Sequence, residues 1–290
     1  MTRPGYSPPT QPGFAGPPRQ PSVHARRRWW LVAITIGWVV VLAGLSLWSA
    51  RHDPPTVPEQ RDIAQALPVL TRATSAVLAA ADGPGRAVRL EALRVDRGCR
   101  LTPVRAGMEA TRDVTVFVPA DQARAALDAI AKGLPPAYRA HVTGSGTGAR
   151  VSLHADAGSY VALDADVPPG AQVFTVEVST GCRPPAALDP ADPRAGDPPP
   201  ALADAERAFH GSGTPNVSAV ACADGRTAAT YTVDGLPRTG DLGRSLEQVT
   251  AGAAVVLSDP AAWAYRSGDV SVVVNAGPAS TRVSATTPCH

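Results

Sequence analysis

Imidazole and carboxylate side chains alternate along one stretch of this chain, at His154, Asp156, Asp164 and Asp166. On a β-strand, residues i and i+2 share a face, so His154/Asp156 and Asp164/Asp166 converge if the two segments form a hairpin. Oxygen-rich pairs can hold Ca²⁺, and an imidazole beside carboxylates can hold a transition metal. The same residues suit the solvated face of a half-exposed sheet, whose inner side would be Val151, Leu153, Val161, Leu163 and Ala165. The sequence predicts that solvated face, with these four residues the candidates for any metal site and no cofactor implied.

Nucleophilic catalysis needs a base beside a hydroxyl or thiol. Beyond residue 50 the histidines are His52, His141, His154, His210 and His290. His141 and His154 flank a glycine-rich turn, Gly144 to Gly148, which lacks the lysine of a phosphate loop and reads as a hairpin connection. No G-x-S-x-G, H-E-x-x-H or S-x-x-K stretch occurs beyond residue 50. Glu177 faces away from Val176 and Val178, as an exposed strand residue does. Asn216-Val-Ser218 matches a glycosylation acceptor, which in this setting is incidental. Trp263 and Tyr265 share one strand face, as core or contact surface. No catalytic constellation emerges, and the expectation is a non-catalytic protein.

Four cysteines, Cys99, Cys182, Cys222 and Cys289, allow three pairings. An internal repeat selects one. Val176, Val178, Thr180 and Cys182 align with Val283, Ala285, Thr287 and Cys289, two alternating strands that each end near a cysteine. Upstream, each copy has a cysteine after an apolar run, then a strand, then a helix. The helices carry matching stripes, Ala123, Leu127, Ile130 and Leu134 against Leu242, Leu246, Val249 and Ala253, with Asp121 and Asp241 placed as N-caps. The expected bridges are Cys99–Cys182 and Cys222–Cys289, each contributing about 4–5 kcal/mol at most by restricting the unfolded chain. No cysteine has a partner at zinc-site spacing.

These elements sit behind an apolar segment. Arg26, Arg27 and Arg28 run into twenty uncharged residues, Trp29 to Trp48, with Trp29, Trp30 and Trp48 at the ends. A helix of that length spans the hydrocarbon core of a bilayer, and terminal tryptophans anchor at its interfaces. The 28 residues before it hold five arginines and no acid, which keeps that side cytoplasmic and places residues 51–290 outside the membrane. A cleaved signal peptide would have a shorter apolar core and a small-x-small site, where this chain has Leu47, Trp48, Ser49 and Ala50. Ala33, Gly37 and Gly44 lie on one helix face and would permit a homodimer.

The basic excess of the whole chain, +2, belongs to the short tail. The exterior holds 22 basic against 25 acidic residues, so no nucleic-acid surface is implied. Lys132 is the only lysine, and with abundant Ala, Gly and Pro this resembles coding by a GC-rich genome such as an actinobacterium's.

The expected organisation is a disordered proline-rich tail (1–25), a transmembrane helix (29–49), a stem (51–58), a first repeat (59–183), a proline-rich linker (184–200) and a second repeat (201–290). The tail carries Pro-x-x-P spacings, at Pro9 to Pro12 and Pro18 to Pro21, in a composition where chance produces them. Each repeat reads as helix, two strands, helix and three strands, an α+β sandwich of antiparallel sheet and helices. In the first, Ile63, Leu67, Leu70, Thr74 and Val77 mark the opening helix, which Pro68 either kinks or starts. The functional expectation is an envelope protein that binds another envelope protein or a small ligand. Its alternatives are an envelope hydrolase with a non-local site, or a sensor signalling through the tail.

Overall fold

The computed structural model describes residues 23–52, 61–144, 150–188 and 190–289. Most of the tail and stem, and residues 145–148 of the glycine-rich turn, lie outside these. The chain divides into two compact units, Met1–Asp53 and Pro54–His290.

The first unit is helix α1, Val23–His52. Its stretch Trp29–Ser49 has a mean hydropathy of 2.2, and none of the apolar window is buried. Thr35 is its one polar side chain before Ser46, and its hydroxyl donates to the Leu31 carbonyl at 2.9 Å, which satisfies it within the helix. Trp29, Trp30 and Trp48 are all exposed.

The second unit opens with α2, Ile63–Ala81, capped by Asp62, whose carboxylate accepts from the Gln65 N–H at 2.9 Å. Pro68 lies inside this helix. The helix is also long and apolar, with mean hydropathy 1.3, but half of it is buried, as befits a core helix. There follow β1 (Ala87–Leu90), β2 (Arg94–Asp96), a small hairpin of β3 (Arg100–Thr102) and β4 (Arg105–Ala106), β5 (Glu109–Phe117), α3 (Ala123–Gly133), β6 (His141–Thr143), β7 (Val151–Asp156), β8 (Ala162–Val167) and β9 (Val173–Ser179). Then come α4 (Pro200–Ala208), β10 (Asn216–Ala221), β11 (Thr227–Leu236), α5 (Leu242–Leu246), β12 (Ala254–Ser258), β13 (Ala262–Ser267), β14 (Val270–Ala276) and β15 (Thr281–Thr286).

Two antiparallel sheets result, with orders β1-β5-β9-β8-β7-β6 and β10-β11-β15-β14-β13-β12, and β2 also pairs with β5. With β2 set aside, the two orders are the same when strands are counted within each sheet. Helices α2 and α3 cover the inner face of the first sheet, burying Leu70, Val77, Leu127 and Ile130 against Val114, Val116, Leu163 and Val176. Helices α4 and α5 cover the second, with Phe209, Leu242 and Leu246 against Tyr231, Tyr265 and Val283. Cys99 bonds to Cys182 and Cys222 to Cys289. Each bridge ties the ends of strands on either side of β5 or β11, β2 to β9 in the first sheet and β10 to β15 in the second. Gly107 lies so close to the first bridge that a Cβ there would meet Cys182 Sγ at 2.4 Å.

Several local expectations are corrected. Asp121 is no N-cap: it adopts φ 63°, a left-handed conformation that Asp tolerates, and Gln122 precedes α3 without a side-chain cap. Asp241 does cap α5, accepting from the Arg244 N–H. The stripe Leu242 to Ala253 does not form one helix. Helix α5 ends at Leu246, and β-branched Val249 and Thr250 and then Gly252, at φ 83°, lead into β12 instead. Each sheet therefore has four strands after its second helix, where the periodicity predicted three.

The sheets pack against each other asymmetrically. The outer face of the second presents Val256, Leu257, Ala264 and Val273 to Ala87 and Phe117 of the first. The Leu90 N–H donates to Thr230 Oγ1 at 2.9 Å, and Arg89 donates to Asn275 Oδ1 at 2.7 Å. The proline-rich connection is strapped to both. Leu188 packs on the first core and Ala195 on the second. Asp192 takes both Nη atoms of buried Arg112, at 2.9 and 2.8 Å, and also accepts from the Ala219 N–H at 2.7 Å.

Candidate functional site: the open face of the first sheet

Strand alternation puts Val151 and Leu153 inward and Ser152 and His154 outward on β7, and Leu163 and Ala165 inward with Asp164 and Asp166 outward on β8. The register then aligns outward residues from five strands in one row. His141 on β6 stands opposite His154, His154 opposite Asp164, Asp164 opposite Glu177 on β9, and Glu177 opposite Asp113 on β5. All of the row but His141 borders an open depression of about 550 Å³ that Ser152, Asp166 and Thr175 also line.

Three carboxylates placed directly across neighbouring strands repel one another. Two neighbouring side chains, Arg94 and His154, engage them. Arg94 on β2 grips Asp113 with two bonds, at 2.8 and 3.3 Å, and reaches Glu177 at 3.9 Å. The Asp113 hydrogen bond holds the Arg94 guanidinium above its ordinary pKa. At the other end His154 Nδ1 meets Asp164 Oδ1 at 2.7 Å. Glu177 is left between them. Partial burial, followed by the charge of Asp113, pushes its carboxyl pKa up, against the pull of Arg94.

Of the four residues singled out in the sequence, His154 and Asp164 are in direct contact. Asp166 is one row along, paired with Arg150 at 2.6 Å and accepting from the Ser152 hydroxyl at 3.3 Å. Asp156 is turned away into its own loop, where it accepts from the Gly158 N–H at 2.8 Å. Among the described residues, no three of His, Cys, Asp or Glu gather closely enough to hold a metal ion. An acid–imidazole pair alone is not a hydrolytic constellation: the neighbouring Ser152 hydroxyl serves Asp166, not His154. Asp113, His141 and Glu177 were the partners that strand patterns alone did not join. Their outward parity was readable, but joining them required the register of five strands.

The corresponding row of the second sheet is Leu257, Ala264, Val273, Ser284 and Thr232. It carries no charge, and its Ala264, Val273 and Ser284 are fully buried beneath the first sheet. Trp263 and Tyr265 belong to the opposite, inner face of β13. Tyr265 is buried, which raises its pKa, and Trp263 is partly buried.

No protein-family model matches this chain, and no curated protein matches it. Among solved structures, it shows a distant likeness to a DUF4853 family protein from Actinomyces odontolyticus, with 14% identity and a TM-score of 0.34. The match covers 61% of this chain and 96% of that one.

Proposed function

We propose that this is a single-pass membrane protein, with its N-terminus in the cytoplasm and residues 51–290 outside, that acts as a binding module rather than an enzyme. On this reading the two sheets are tandem copies of one α+β unit, each closed by its own disulfide. The partner is another envelope protein or a small ligand, taken on the outer face of the first copy. The apolar, unburied stretch Trp29–Ser49 behind an arginine-rich tail supports the anchor. Two disulfides support an oxidising compartment. The identical strand orders support duplication.

The observation that carries the binding role is the divergence between the copies. One outer face has become apolar and buried, while the other keeps a line of charged groups open to solvent. The pairing fixes the copies as one body, so the charged face is presented in a single orientation. The test is crosslinking of the full-length protein in intact cells, followed by mass spectrometry. A single reproducible partner linked through β5 to β9 is expected, and an empty capture would overturn the role.

A further inference from the structure

We propose that His141 and His154 form a two-imidazole site for a divalent transition ion such as Zn²⁺ at the rim of the open face. The inference deepens the binding role by naming one ligand of that face. The two residues stand directly opposite on adjacent strands, with ring centroids 5.8 Å apart and planes tilted by 40°. With a metal–nitrogen distance of about 2.1 Å and about 1.1 Å more to the ring centre, two imidazoles sharing an ion have centroids about 5–6 Å apart.

Both rings are also held as ligating imidazoles are held. His154 Nδ1 is bonded to Asp164 Oδ1 at 2.7 Å, and His141 Nδ1 lies 3.3 Å from the Arg139 carbonyl oxygen. A bond from Nδ1–H to a carboxylate or backbone carbonyl fixes the tautomer and leaves Nε2 as the basic donor. The two nitrogens leave the ring on nearly opposite sides, so with Nδ1 of His154 committed to Asp164 on β8, its Nε2 is the nitrogen offered to an ion. Both histidines are exposed, so an ion reaches them from solvent. Imidazole nitrogen favours Zn²⁺, Cu²⁺ and Ni²⁺ over Ca²⁺ and Mg²⁺. Two protein donors leave two tetrahedral positions for water or for a donor from the partner.

The second copy has Leu257 and Ala264 at the matching positions, so the site belongs to the first copy alone. Asp164 acts as a positioning residue: it orients His154 and does not touch the ion.

The test is titration of Zn²⁺ into the full-length protein in lipid nanodiscs, without a polyhistidine tag or partner, in competition with a chromophoric chelator. His141→Ala and His154→Ala are each expected to weaken one site at least tenfold, and His210→Ala to leave it unchanged. Asp164→Asn is expected to weaken it about tenfold, and to shift the tautomer signal of His154 in nitrogen NMR. Because these side chains are exposed, an unaltered melting temperature shows that the variants are folded. Zinc affinity unchanged in the double variant His141→Ala/His154→Ala would overturn the site. If partner capture on this face persisted in that case, the binding role would stand without the ion; zinc binding with an empty capture would give the reverse.

Discussion

Asp113, Glu177 and Asp164 face one another across three strands, with Arg94 against Asp113 and His154 hydrogen-bonded to Asp164. Glu177 is the least compensated, and its raised pKa means that the folded state binds its proton more tightly than the unfolded state does. The sign follows: ionised Glu177 costs stability above its folded pKa, and that cost disappears as pH falls through it. Glu177→Gln should therefore stabilise the fold at pH 7–8, by under about 1 kcal/mol because the side chain is half exposed, seen as a raised melting temperature, and the gain should vanish near pH 4. Thermal melts across that range check it. Asp192 poses the opposite case. Removing it leaves the buried Arg112 guanidinium without its carboxylate and the Ala219 N–H without an acceptor. Asp192→Ala should cost about 3 kcal/mol, read as a lower urea midpoint. Neither role was legible in the sequence, because both depend on partners brought together by register or by the strap, 80 residues apart for Arg112 and Asp192. What was legible was parity. His154, Asp164 and Glu177 read as outward because their neighbours Leu153, Leu163, Val176 and Val178 read as inward.

At the scale of elements, alternation located β7, β8, β9 and β15 closely, since each is long enough to show several inward residues. Strand β6 has three residues and β12 follows a helical-looking stripe, so neither carried a period of two that stood out. The same stripe shows how a period misleads: Val249 and Ala253 are correctly spaced for a helix, but Gly252 takes a positive φ between them. The cysteine pairing was legible because the matching segments before Cys182 and Cys289, rather than spacing alone, chose among the three possibilities. Helix α1 makes its own prediction. If it is a retained anchor, protein extracted from membranes should have the intact mass of about 29.8 kDa. A cleaved signal peptide would remove roughly the first 50 residues, a loss that intact mass spectrometry reads directly.

At the scale of the whole molecule, the folded body beyond residue 53 owes its form to what the second sheet does with its outer face. The inner faces of both sheets are covered by their own helices, which is the ordinary solution for an α+β layer. Outer faces differ: one is spent on the other sheet, through Ala264, Val273 and the Thr230–Leu90 hydrogen bond. The sequence suggested an internal repeat but not this packing, because small apolar and hydroxyl residues such as Ala264 and Ser284 do not announce a buried surface. On the proposed binding role, the exposed face of the first sheet is where a partner is expected. The most direct measurement replaces Thr175, on that face, with a photoreactive phenylalanine derivative, and compares it with the same probe at Gln248, exposed beyond α5 of the second sheet. Illumination of intact cells should crosslink a partner from position 175 and not from 248. A partner captured only from 248, or from neither, would contradict the assignment of the binding face.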